Sequence, residues 1–483
     1  MRHLWLLILI SISLVLGASM LTRGHQWGDD FAWYILQAQS ILEGTTTEFM
    51  QQSAFTNGES TTHLGPLAYP WGYPLILTPV YALKGISPLA LKLPALVFYG
   101  GFLLIFYFLL KDRLSQTESL LLVALFAFNP LLLQFLDQIL SDIPFLFFST
   151  LSLFLMTRPH DHGFFYYAAI GAAIFLTTFL RVTGILLLAS LLIVEFFRLV
   201  KVRNHRTAVM KIIQRSLIPL AVFVVLWIIN IWLFPSGGES YLSQYAGLIE
   251  TARAMAPAYF YVFADFFGRS IVWRLLYYIL LLFFLLGAWE RRRQEPIFLI
   301  FFLLWMIVHV TYPYWQGPRY IFPLLPVFIY FTFQGMKSVT RRIPETYERT
   351  SQRILYGFWG LLAGIFLFTS GTHAYVNLQS NRQINGPFDP YSREVYNYIK
   401  EKTSPDSVVV FFKPRVMVMM TGHPTIMSTE CERMLKGDYL VLSRKVEENQ
   451  QIAPDDIGDC NLPLNEVLKN NRFVVYEIQK QVE

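Results

Sequence analysis

Charge is scarce in this sequence: Asp, Glu, Lys and Arg together make up 15% of 483 residues, against about 25% in an ordinary soluble domain. That shortage excludes a soluble globule as a description of the whole chain. Cysteine is scarcer still, with only Cys431 and Cys460, which excludes a disulfide-built scaffold and a module of clustered thiolates around zinc. His, Cys and carboxylate residues never fall at metal-ligand spacing, and no Walker-type glycine-rich phosphate loop, internal repeat or low-complexity tract is found. A P-loop nucleotide site and a solenoid are thereby excluded. Also missing is the symmetry between two halves that repeat-built transporters carry.

What is present is hydrophobic: 54% of residues, with 42 Phe and an aromatic share of 16%, for a mean hydropathy of +0.43. The fold class is mainly α, a polytopic membrane bundle. Eleven apolar segments read as spans, at residues 4–20, 89–110, 120–136, 143–156, 164–180, 184–199, 217–234, 271–289, 296–312, 320–335 and 354–370, several of them near the lower length limit for a membrane-crossing helix. The N-terminal MRHLWLLILISISLVLGASM reads as an uncleaved signal anchor, because GASM fits a small-x-small cleavage site poorly. The net charge of +6 needs no nucleic acid, since Lys and Arg cluster in alternate short loops, among them Arg291-Arg292-Arg293. The positive-inside rule then places the N-terminus in the cytoplasm and, by the odd count, the C-terminus outside.

After residue 370 the composition turns soluble, and strand and helix patterns alternate: helix 392–402, strand 407–412, helix 415–420, strand 438–443, helix 464–469 and strand 472–478. That pattern predicts a small extracytoplasmic α/β domain over residues 371–483 on a partly parallel sheet, following a membrane domain at residues 1–370. In an oxidising compartment Cys431 and Cys460 are expected to pair as a disulfide, the alternative being two buried thiols.

The first outside loop, residues 22–88, holds the sharpest polar feature, the pair Asp29-Asp30. Two interfacial helices are expected in it, at 31–43 and 71–84. Asp29 reads either as the N-cap of the first of these or as a chemically active carboxylate. Three further features fall on the same side: HLGPLAYPWGYP from His63 to Pro74, DQILSDIP with Asp137 and Asp142, and QGPRYIFPLLP with Arg319 and Tyr320. Acids and an arginine gathered on one face suit an anionic lipid head and a hydroxyl nucleophile.

This arrangement resembles the GT-C superfamily of integral membrane glycosyltransferases, especially the branch of protein O-mannosyltransferases and aminoarabinose transferases. The resemblance is carried by GDDFAWYILQAQSILEG, AYPWGYPLIL, SDIPFLFF, FLRVTGILLL, GPRYIFPLLP and the tail segment VVVFFKPRVMVMMTG. It implies sugar transfer from a polyprenyl-phosphate donor to an acceptor hydroxyl on a lipid, glycan or protein. The family's first-loop acidic base carries over to Asp29, with Asp30 at the adjacent acidic position, and its late arginine to Arg319. Two departures stand out: Asp-Asp replaces the commoner Asp-Glu, and Tyr69-Pro70-Trp71-Gly72 stands where the aminoarabinose branch has Lys-Pro-Pro. The second departure argues against the same donor.

The chemistry asks for the same parts. C1 of a sugar phosphate leaves through an oxocarbenium-like transition state, so a base must take the acceptor's proton and cations must hold the departing phosphate. One base acting directly inverts the anomeric centre. Arg181 reads equally as a phosphate ligand or a snorkelling helix-end residue, and Asp142 as a substrate ligand or a cap. His63, Tyr69, Tyr73 and Tyr320 are candidate substrate contacts, although loop histidines and interfacial tyrosines are common without any such role. No cofactor is implied, and a divalent metal has only Asp29 and Asp30 to hold it. The rival reading is a non-enzymatic transporter or envelope-glycan assembly protein.

Overall fold

Prolines, caps and charged residues decide where the apolar helices of this chain stop. The computed structural model describes residues 3–62, 64–158, 163–202, 206–237, 247–445 and 450–479. The membrane portion runs through α1 (Leu4–Met20), α2 (Asp30–Glu43), α3 (Thr46–Glu59), α4 (Gly72–Lys84), α5 (Pro88–Lys111), α6 (Gln116–Ala127), α7 (Pro130–Phe135) and α8 (Asp142–Met156). It continues through α9 (Phe164–Leu180), α10 (Ile185–Val202), α11 (Arg206–Leu233), α12 (Leu248–Tyr261), α13 (Ile271–Arg291), α14 (Pro296–Val310), α15 (Leu325–Arg341) and α16 (Glu345–Gln379).

The expected eleven spans are corrected by these boundaries. Among the described residues four helices, α5, α11, α13 and α16, are long and apolar enough to cross a membrane, whereas α1, α6, α8, α9 and α14 are apolar but only 10–17 residues long. The expected third span shows why: it breaks where the Asn129 side chain accepts from the Leu132 amide at 3.1 Å and Pro130 opens a new helix. At the other end of the chain, α16 has 35 residues and continues beyond Ser370 to Gln379. Phe102, Phe106, Phe126 and Phe266 pack ring against ring inside the bundle. On α11 and α13, by contrast, Val225, Ile228, Trp232, Val272 and Leu282 are exposed, an outward apolar surface that belongs in lipid.

Three helices rather than two occupy the 22–88 segment, because α3 was not anticipated. In α2, Phe31, Ala32, Trp33 and Ile35 are fully buried, and the helix packs against α4 and against the Pro414–Thr421 helix of the C-terminal domain. The entry to this segment is clamped. Buried Lys92 donates to the Gly24 carbonyl at 2.6 Å and to Asp137 at 2.7 Å, and Asp137 accepts from the Thr22 amide at 2.6 Å. A buried lysine without such partners would be strongly destabilising.

The C-terminal domain comprises α17 (Pro390–Lys402), β1 (Val409–Phe411), α18 (Pro414–Thr421), β2 (Thr425–Ile426), α19 (Cys431–Met434), β3 (Tyr439–Ser443), β4 (Leu464–Lys469) and β5 (Phe473–Ile478). Its sheet has the order β2-β1-β3-β5-β4, with β1 parallel to both β2 and β3 and β5 antiparallel to β3 and β4. The helix expected at 464–469 is a strand. Asn470 overrides its local preference by closing a hairpin: the Asn470 side-chain oxygen accepts from the amides of Arg472 and Phe473, each at 2.9 Å. Cys431 and Cys460 are joined by a disulfide, with Cα atoms 5.3 Å apart.

Candidate active site

Asp29 and Asp30 are adjacent in sequence and turn to different surroundings. Asp29 precedes the first residue of α2, and its side chain makes no capping hydrogen bond, so the cap reading is not realised. Its Oδ2 lies 3.9 Å from Nε of Arg415, and its Oδ1 is buried without a hydrogen-bond partner. Burial pushes this carboxyl up to about 6; Arg415 and Lys413 oppose the rise and Asp30 reinforces it.

Asp30 faces a cavity of about 1060 Å³. The Tyr69 hydroxyl donates to its Oδ1 at 2.6 Å, and the Arg319 guanidinium donates to its Oδ2 from Nη1 at 3.2 Å and Nη2 at 3.3 Å. Burial alone would raise this carboxyl. Arg319, the Tyr69 hydroxyl and Arg415 outweigh that effect and hold it below the ordinary carboxylate value. Asp30 is therefore ionised, and its side chain is 34% exposed towards the cavity.

The remaining walls come from loops set by local chemistry. Gly72 opens α4 against the end of α9, where a Cβ would lie 2.5 Å from the Phe179 carbonyl oxygen. That contact brings the 69–74 segment beside Arg181, the extended residue separating α9 from the short turn before α10. Arg181 pairs with Asp142 and lies 4.4 Å over the Tyr320 ring. Arg319 also donates to Gln316 at 2.9 Å, which leaves part of its five-donor fork free to take an anion. Trp227 and Ile231 of α11 and Phe234 just beyond it add apolar lining to the cavity, which therefore combines charged and greasy surface.

Of the residues singled out in the sequence, Asp30, Tyr69, Asp142, Arg181, Arg319 and Tyr320 line this one cavity. Asp29 and Tyr73 are not among its lining residues. Tyr73 is fully buried, packs edge-on against Tyr34 with ring centroids 5.0 Å apart, and keeps its hydroxyl away from any partner. Asp137 is taken by Lys92, and His63 lies outside the described residues. As a metal site the acidic pair does not fit: both Asp30 oxygens are committed to Tyr69 and Arg319, Asp29 faces Arg415, and the described residues contain no group of three His, Cys, Asp or Glu suited to an ion.

Sequence reasoning passed over Arg415, a fully buried guanidinium from the C-terminal domain. It donates to the Tyr69 hydroxyl at 2.9 Å and to the Pro66 carbonyl at 3.2 Å, and lies 5.0 Å over the Trp33 ring. The available signal was an arginine immediately before the apolar run VMVMM in VVVFFKPRVMVMMTG, since a charge among buried positions needs a partner. His309, Tyr34 and Gln316 were also missed.

No protein-family model and no curated protein matches the sequence. Solved structures do match over almost the whole chain. ArnT from Cupriavidus metallidurans bound to undecaprenyl phosphate aligns at 13% identity with a TM-score of 0.61, covering 98% of each chain. The archaeal oligosaccharyltransferase AglB from Archaeoglobus fulgidus, in complex with an inhibitory peptide and a dolichol-phosphate, aligns at 11% identity with a TM-score of 0.56, covering 99% of this chain and 75% of the other. The chain shares the fold of these two solved structures.

Proposed function

We propose that this protein is an inverting glycosyltransferase that moves a sugar from a polyprenyl-phosphate donor to an acceptor hydroxyl on a lipid, glycan or protein. The observation that carries the proposal is that Asp30 lines one cavity with Arg319 and Arg181, together with apolar residues able to take a prenyl chain. Two similar folds were solved with undecaprenyl phosphate and with a dolichol-phosphate, which supports a ligand of this class. In this reading residues 1–370 form the catalytic membrane domain with a cytoplasmic N-terminus, and residues 371–483 an extracytoplasmic domain.

The arriving phosphate takes donors of Arg319 and Arg181, which weakens their hold on Asp30 and Asp142. Asp30 then accepts the proton of the acceptor hydroxyl as that oxygen bonds to C1. The C1–O bond to the phosphate breaks, and its electron pair leaves on polyprenyl phosphate, where the two guanidinium groups stabilise the charge. We assign the base to Asp30 rather than Asp29 because reach to the acceptor comes before pKa, and only Asp30 lines the cavity.

The test is transfer by purified protein from a panel of polyprenyl-phosphate sugars. Asp30→Asn should lower turnover by roughly 10²–10⁴-fold, the usual worth of a general base, while binding of undecaprenyl phosphate persists. Full transfer by that variant sinks the assignment. Absence of transfer by the wild type from every donor sinks the function.

A further inference from the structure

Three polar atoms of residues on the cavity wall are buried without a hydrogen-bond partner: Nε2 of His309, Oδ1 of Asn230 and Oγ1 of Thr183. His309 is the best defined. The residue is 2% exposed, its ring stacks on Trp305 with centroids 4.6 Å apart, and it meets the Tyr320 ring at 5.1 Å. Its Nδ1 lies 2.8 Å from the Trp305 carbonyl oxygen. A carbonyl only accepts, so Nδ1 carries a hydrogen, and in the neutral form of the ring Nε2 is then an acceptor.

Buried acceptors are rarely left unmet in a folded protein unless a ligand or water completes them. His309 Nε2 and Asn230 Oδ1 both call for donors, and Thr183 Oγ1 can serve either way. Their place in the cavity narrows the class of ligand. Tyr320 links the two functions, with the His309 ring at one contact and the Arg181 guanidinium 4.4 Å from its centroid at the other. A group bonded to His309 therefore sits next to an anion held by Arg181. A phosphate has no hydrogen to give His309 once ionised, whereas a sugar joined to that phosphate has several.

We infer that His309, with Asn230 and Thr183, forms the subsite for the donor's sugar ring, and that the donor is a polyhydroxylated sugar with a free hydroxyl donating to His309 Nε2. This inference rests on the proposed transferase reading and goes beyond it by naming which residues select the sugar. A site built to meet a hydroxyl discriminates strongly against an analogue without it, because the buried acceptor is then stranded.

The experiment compares wild type with His309→Phe, which keeps the aromatic stack and removes the acceptor, and with His309→Gln, which offers an acceptor again. The probes are undecaprenyl phosphate alone, undecaprenyl-phosphate hexoses, and monodeoxy versions of whichever hexose the wild type transfers. Expected for His309→Phe are undecaprenyl phosphate affinity within about twofold of wild type and a transfer efficiency reduced by roughly tenfold or more, partly restored in His309→Gln. One deoxy donor should be penalised in the wild type and not further penalised in His309→Phe. Asn230→Leu, on a different helix, should also weaken the sugar-bearing donor more than the bare phosphate. Equal loss for both probes, or no loss for either, overturns the subsite while leaving the transferase reading intact. Failure of the wild type to transfer a sugar from any polyprenyl-phosphate donor overturns the reading on which both rest.

Discussion

Arg415 and Asp30 share one hydroxyl: the guanidinium donates to Tyr69 Oη at 2.9 Å, and that hydroxyl donates onward to Asp30 Oδ1 at 2.6 Å. The relay starts in α18 of the C-terminal domain and ends on the carboxylate that lines the cavity. It gives the C-terminal domain a part in the site beyond covering it. A buried guanidinium is costly unless its donors are met; here the Tyr69 hydroxyl and the Pro66 carbonyl meet Nη1 and Nη2, while Nε makes no hydrogen bond and has the Asp29 carboxyl 3.9 Å away.

Tyr69→Phe cuts the relay while keeping the ring that packs 4.8 Å from Tyr34. Hydrogen bonds to a charged group contribute about 1.5–3 kcal/mol, so turnover should fall by roughly 10–100-fold. Because the Tyr69 hydroxyl is one of the groups holding the Asp30 carboxyl down, the acid limb of the pH–rate profile should also move to higher pH. A profile that keeps its wild-type acid limb would show that Tyr69 does not act through Asp30.

Arg319 is expected to resist its conservative replacement. It offers a planar fork, two arms of which reach Asp30 and one of which also reaches Gln316. Lysine supplies one compact charge and cannot span both. Arg319→Lys should therefore weaken undecaprenyl phosphate binding by about tenfold, in line with loss of one charge-assisted bond, measured by titration in detergent. Unchanged affinity would place the phosphate elsewhere on the cavity wall.

How much of this could be read from the residues differs by feature. The apolar segments announced a helical membrane bundle, and Asp30, Arg181, Asp142 and Arg319 stood out because charge in such a chain is costly to bury. Their meeting in one cavity depends on turns at Gly72 and Arg181 that bring distant segments together, and periodicity has no access to that. Arg415 was hidden for another reason: more than 300 residues of chain separate it from Tyr69, and only the docking of α18 on α2 joins them. The 464–469 error was local. Leu, Glu and Lys favour a helix, but pairing with β5 through the Asn470 turn decides the outcome.

The Cys431–Cys460 disulfide closes a loop with a sequence separation of 29. In the chain-entropy model a loop of this length is worth about 3–4 kcal/mol. The Cys431→Ser, Cys460→Ser double variant should lose roughly that much from the C-terminal domain, read as earlier protease cleavage of that domain with the α5 and α13 helices still protected. Protease resistance equal to wild type would show that the covalent link adds nothing to the domain's stability.

Asp29 supplies a pH signature of opposite sign to that of Asp30. Its carboxyl is raised from an ordinary 3.8 to about 6 by burial, against the pull of Arg415 and Lys413. Between those values the folded protein holds a proton that the unfolded chain has released, so stability falls as pH rises through the window, and the full penalty is present above pH 6. A shift of that size corresponds to about 3 kcal/mol. Asp30, held below its ordinary value, instead stabilises the fold above that value and loses this contribution on acidification. Asp29→Asn removes only the first effect. In thermal unfolding of the detergent-solubilised protein, the variant should gain on wild type from pH 4 to about pH 6 and hold that gain above it, with little difference at the acid end, where Asp29 is protonated anyway. A difference that does not change with pH would mean that Asp29 is ionised in the folded protein at every pH tested, and that Arg415 holds it far more tightly than a separation of 3.9 Å implies.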